Sequence, residues 1–129
     1  MDLLSPGLFG QKEMVVEKQH LASVMGNVGV EVLSTHCVVL LMELASRNAV
    51  ESLLEKGQMV VGTWIGVRHM GAVPKGLKVR AESHLKEIRG RKLTFDVSVY
   101  DPKEKIAEGR NELLIVPADK FLEKVKRKL

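Results

Sequence analysis

The sequence predicts an α+β domain in which one antiparallel sheet wraps around a single long helix. Two patterns and a length predict it. Residues 37–56 carry helical signals at both ends and are apolar on almost every side over their first half. After Gly57, about sixty residues alternate apolar with polar in runs parted by turn signals. The chain has 129 residues, 45% of them hydrophobic, enough for one domain to bury a core without a disulfide or structural metal. Its single cysteine, Cys37, agrees, since no bridge can form within the chain.

Residues 1–11 carry Pro6, Gly7 and Gly10 and predict an irregular lead-in, followed by a short strand at Met14-Val15-Val16-Glu17. Residues 20–33 contain Gly26-Asn27-Val28-Gly29, too glycine-rich for one helix, and predict a helical turn and a loop placed to cover a site. The long helix takes Ser34 or Thr35 as N-cap and stops at Gly57. Over residues 37–46 it holds one carboxylate, Glu43, as a helix surrounded by protein would.

The sheet follows. Residues 58–70 place Met59, Val61, Thr63, Ile65, Val67 and His69 on one face by alternation. Residues 77–88 turn Leu77, Val79, Ala81, Ser83 and Leu85 inward, and Leu93, Phe95, Val97 and Val99 repeat the pattern. A last strand over 107–116 follows the turn Asp101-Pro102-Lys103, and Pro117 leads into a terminal helix. Strand, buried helix and a four-stranded antiparallel meander make the hot-dog architecture, with residues 1–129 as a single domain. Open edges and a half-covered helix call for a second copy, so a homodimer, or a tetramer built from dimers, is expected.

Twenty basic against sixteen acidic residues give a net charge of +4, too mild to imply nucleic-acid binding. One Trp, one Tyr and three Phe also fall short of the aromatic platforms that single strands need. No stretch approaches the length of a membrane helix and the start lacks the basic region of a secretory signal, so a cytoplasmic protein is expected. His20, His36, His69 and His84 are scattered and show no metal-ligand spacing. Met14, Met25, Met42 and Met59 read as core filler, and Trp64 alternates onto the face opposite His69.

Glu43 is the most informative residue, because a lone ionisable group among apolar neighbours is costly unless something stabilises it. Two readings stand open: a functional carboxylate, or an outward one paired with Arg47 at i, i+4. His69 falls on the face that should meet the helix, so the two could approach each other; alternatively it is a core histidine bonded to a carbonyl. Thr35 is either an ordinary cap or a hydroxyl beside free amides able to receive an oxyanion. Eight residues of helix span about 12 Å, so Thr35 and Glu43 of one chain cannot touch the same atom unless the helix begins late or a partner intervenes.

These residues carry a resemblance. The run 35–45, then Gly62-Thr63-Trp64-Ile65-Gly66-Val67-Arg68-His69, Ala72-Val73-Pro74-Lys75-Gly76-Leu77, Gly90-Arg91-Lys92-Leu93 and Lys120-Phe121, resembles the hot-dog thioesterases of the fluoroacetyl-CoA thioesterase type. The resemblance implies hydrolysis of an acyl-CoA thioester with Thr35, Glu43 and His69 as catalytic trio and the Gly62 backbone helping to hold the substrate. Glu43 would attack the thioester or activate a water; His69 would polarise the carbonyl or assist the water; Thr35 would orient Glu43 or the acyl oxygen. No cofactor is implied, coenzyme A entering as part of the substrate. Its phosphates need cations, and Arg68, Lys75, Arg89, Arg91 and Lys92 sit at strand ends or turns from which they could reach them.

Two departures bear on the acyl group. Gly29 stands where the fluoroacetate-specific member has an aromatic gate, and Leu113 where it has an arginine, so a different short- or medium-chain acyl group is expected. Competing readings are a non-catalytic, metabolite-sensing acyl-CoA-binding protein and a hydratase, whose Asp and His pair on one loop does not occur here.

Overall fold

The computed structural model describes residues 3–129. Its elements are β1 (Phe9–Val15), two short 3₁₀ turns (Lys18–His20 and Ala22–Met25), α1 (Thr35–Val50), a 3₁₀ turn (Glu51–Leu53), β2 (Gln58–His69), β3 (Lys78–Arg89), β4 (Lys92–Tyr100), β5 (Lys105–Pro117) and α2 (Ala118–Lys126). The five strands form one antiparallel sheet in the order β1-β3-β4-β5-β2. This is the α+β hot-dog arrangement that the patterning predicts, with α1 packed in the concave face of the sheet.

Several local expectations need correction. The first strand starts at Phe9, inside the segment expected to be irregular. Gly10 permits this, because a Cβ there would collide with the backbone of Ala45 and Ala49, so only glycine lets β1 lie directly on α1. The meander has three strands, β3-β4-β5; β2 pairs with β5 instead of β3 and forms an edge of the sheet. The α-helix ends at Val50, before the expected stop, and tightens into the 3₁₀ turn; Gly57, at φ 86°, closes the later turn into β2. Met25 is exposed in the loop, whereas Met42 is fully buried and Met14 and Met59 half-buried.

The inward faces of β3 and β4 are as the alternation predicts, with Val79, Ala81, Leu85, Leu93, Phe95 and Val99 buried against Val38, Leu41 and Met42 of α1. Ser46 of α1 and Ser83 of β3, both buried, bond to each other at 2.8 Å, so neither hydroxyl is left unpaired in the core. α1 is not covered all round, however. His36, Leu40, Glu43 and Arg47, spaced four, three and four residues, form a stripe that the sheet of this chain leaves at least partly open, and Leu40 is 51% exposed. Among the described residues no helix is long and apolar enough to cross a membrane.

Candidate active site

The start of α1 decides what Thr35 does. Ser34 is the N-cap: its Oγ accepts from the Cys37 N–H at 3.1 Å, and its side chain is buried. Thr35 becomes the first helical residue, its hydroxyl free of capping duty. That hydroxyl meets His69 at the end of β2, with Oγ1 and Nδ1 2.9 Å apart. The other ring nitrogen, Nε2, is buried with no hydrogen-bond partner among the described residues. A histidine oriented through one ring nitrogen keeps the other able to donate or accept a proton.

Glu43 sits elsewhere on the same helix and faces Gly62, where a Cβ would collide with its Oε2. The carboxyl group thus lies against bare backbone, a close approach that glycine alone allows. Among the described residues no ion pair joins Glu43 to Arg47, although both lie on the partly open stripe of α1. Within one chain Thr35 and His69 come together, Glu43 and Gly62 come together, and the two pairs stay apart. His69 lies seven positions along β2 from Gly62, one of them the extra residue of an irregular pairing, so the two are about 20 Å apart along the strand.

The predicted face of β2 is half right. Gly62 pairs with Leu113 and Trp64 with Glu112, so Thr63 is an extra residue and the alternation slips there. Ile65, Val67 and His69 therefore share the inward face with Gly62 and Val60, while Met59 and Val61 fall on the other side. Trp64 lies on the outer face, half exposed beside Gly66 and Arg68 in a shallow groove with Arg110.

Of the expected phosphate-binding cations, Arg68, Lys75 and Arg91 are exposed and in no ion pair among the described residues, whereas Arg89 pairs with Glu87 and Lys92 with Glu112. Arg68 and Lys75 lie toward the His69 end of β2. Arg91 lies at the other end, its carbonyl accepting from the Ile115 N–H. Gly29, at φ 87°, is in an exposed loop whose limbs are tied by Ser23 Oγ donating to Glu31 Oε2 at 2.5 Å. Leu113 is fully buried on the rung of Gly62. No group of three or more metal-ligating side chains occurs among the described residues.

Sequence reasoning missed Asn111. It is fully buried on the inward face of β5, and its Nδ2 donates to the Trp64 carbonyl at 3.0 Å. The signal available was an amide in the apolar phase of an alternating strand, between Phe95 and Ile65 once the register is known.

Residues 16–119 match the model of the fluoroacetyl-CoA-specific thioesterase family, FlK. A fluoroacetyl-CoA thioesterase from Streptantibioticus cattleyicolor is 38% identical over 98 residues, which are 76% of this chain and 70% of that protein. The crystal structure of a single-residue mutant of the fluoroacetyl-CoA-specific thioesterase FlK superposes with a TM-score of 0.92 at 30% identity, covering 100% of both chains. A thioesterase superfamily member from Thermus thermophilus gives a TM-score of 0.91 at 27% identity over 98% of this chain and 94% of that one. Fold and relatives define a hot-dog thioesterase, a hydrolase of thioesters, and do not favour a purely ligand-binding role. Within that class, the chain belongs to the fluoroacetyl-CoA-specific thioesterase family.

Proposed function

We propose that this protein hydrolyses short- or medium-chain acyl-CoA at a site shared by two copies of the chain. Thr35 and His69 come from one copy and Glu43 from the other. The observation that carries the reading is the Thr35–His69 pair, whose buried Nε2 has no partner among the described residues, standing apart from Glu43, the only carboxylate of α1. An edge strand and an open helix stripe support the second copy. If two β2 edges meet antiparallel with the two-fold axis near Ile65 and Gly66, Gly62 of each strand lies opposite His69 of the other. The separated halves then form two complete sites, and the partner subunit's Arg91 joins Arg68 and Lys75 around each as cations for the CoA phosphates.

In such a site the Thr35 hydroxyl donates to Nδ1, which leaves the proton on Nε2, aimed at the thioester carbonyl oxygen. The partner subunit's Glu43 attacks the acyl carbon or takes a proton from the water that does. If Glu43 attacks, C–S cleavage leaves a mixed anhydride that water then hydrolyses, restoring the carboxylate; if water attacks, C–S cleavage gives the acid directly. On either route the thiolate takes up a proton, and free acid and CoA leave. A thioester is activated enough for positioned acid–base groups and a polarised carbonyl to suffice.

Gly29 offers no aromatic gate, and Leu113 lines the Gly62 rung with an apolar side chain in place of a cation. Both support an acyl group other than fluoroacetyl. The test is free-thiol release from acetyl-, propionyl-, fluoroacetyl- and longer acyl-CoAs. Wild type should turn over the non-fluorinated substrates, and Glu43→Ala and His69→Ala should lose about 100-fold or more in kcat. Strong preference for fluoroacetyl-CoA would refute the substrate assignment, and full activity in Glu43→Ala the mechanism.

A further inference from the structure

We propose that Asn111 and Thr63 are positioning residues: they hold the one-residue bulge in β2 that turns both halves of the catalytic site toward α1. The proposal rests on the catalytic reading of Thr35, Glu43 and His69 above. Gly62 and His69 are seven residues apart. In a regular strand an odd separation puts two residues on opposite faces of the sheet, so one of them would point away from the helix. Instead Gly62 faces Glu43 and His69 faces Thr35, both on α1. The extra residue at Thr63 produces this, because it shifts the alternation by one between the two positions.

A bulge interrupts the ladder of hydrogen bonds, and an edge strand has a neighbour on one side only to restrain it. Two side chains supply the restraint here. Nδ2 of Asn111 donates to the Trp64 carbonyl at 3.0 Å from the buried face, and Oγ1 of Thr63 donates to the Glu112 carbonyl at 3.3 Å from the exposed side. The two bonds run in opposite directions between β5 and β2 and bracket the slip.

Asn111 is placed there at a cost. Both groups near its nitrogen are carbonyls, those of Trp64 and, at 3.5 Å, Glu112, so its Oδ1 must point away, and that oxygen is buried without a partner among the described residues. A leucine would carry no such unpaired acceptor. What the amide supplies and leucine lacks is the donor to the bulge carbonyl. Without it the slip can relax toward regular pairing, and regular pairing turns either Gly62 or His69 off the helix.

Asn111→Leu and Thr63→Val test this, measured as kcat and KM per folded molecule, amide exchange at Trp64 and Ile65, and the ring-nitrogen resonances of His69 without substrate. For Asn111→Leu, kcat should fall about 100-fold with KM within about threefold, as expected when reacting groups are misplaced rather than lost. Exchange at Trp64 and Ile65 should accelerate, and the His69 nitrogens should move away from the values set by the Thr35 bond. Thr63→Val should show the same three changes to a smaller extent. A folded Asn111→Leu with unchanged kcat, exchange and His69 resonances overturns the proposal. If Asn111→Leu does not fold, Thr63→Val, changed at an exposed side chain, decides alone, and unchanged values there overturn it. A wild type that releases no thiol would defeat the catalytic reading instead, while exchange and ring-nitrogen data still decide about the bulge.

Discussion

Glu43 and Gly62 leave no room for a further atom between them, and that fact gives the sharpest residue-scale prediction. A methyl group at position 62 would land on the Glu43 carboxylate, whose own Cα is fixed in α1. The side chain must swing aside, and Gly62 itself is exposed on an edge strand, so the fold can absorb the change. Gly62→Ala is therefore expected to keep its thermal unfolding midpoint within a few degrees while kcat falls about tenfold or more, since a reacting group displaced by an ångström loses most of its advantage. Wild-type kcat in that variant would show that the carboxylate position is not critical. At this scale the sequence was informative about residue types and less so about partners. An acid alone in an apolar stretch and a histidine in an alternating strand could both be singled out. That Ser34 would take the cap and release Thr35 to His69 could not, because either hydroxyl satisfies the same rule for a helix start.

Elements were legible where one face is buried and hidden where neither is. β3 and β4 alternate cleanly because one side meets α1. β1 escapes the pattern: its Gly10 is the close contact, and Gln11, Lys12 and Glu13 are all exposed. The bulge at Thr63 is invisible to alternation because its flanks, Met59 and Val61 before and Ile65 and Val67 after, look like one continuous phase; only pairing with β5 reveals the slip. The strand order is hidden for a related reason, since β2 pairs with a strand some fifty residues on, and apolar periodicity carries no address. The helix start, by contrast, rests on a local signal and can be tested locally. Ser34→Ala removes the acceptor for the Cys37 N–H inside a buried turn. It should cost about 1 kcal/mol, or about 3–5 °C in a thermal melt. Activity should fall as well, because the same turn carries Thr35. A melt indistinguishable from wild type would mean the cap is redundant.

The whole molecule has two features that one copy does not explain, the apolar Leu40 amid the open stripe of α1 and the unpaired edge of β2. Both lie beside the half-sites, and both are satisfied if the half-sites complete each other across a two-fold axis. This makes a quantitative prediction for mixed populations. Glu43→Gln leaves Thr35 and His69 intact but donates a dead carboxamide to the partner; His69→Ala donates a good carboxylate but lacks its own imidazole. Each homodimer is then inactive at both sites. A dimer of one copy of each has one wholly native site, formed by Thr35 and His69 of the first variant and Glu43 of the second, and one doubly defective site. Unfolding and refolding an equimolar mixture makes about half the dimers mixed, so thiol release should recover to about a quarter of the wild-type rate. If instead each chain carried its own complete site, every site in the mixture would lack one group and the rate would stay at the average of the two variants. The recovered fraction thus reads the sharing of the site directly, without a structure of the assembly.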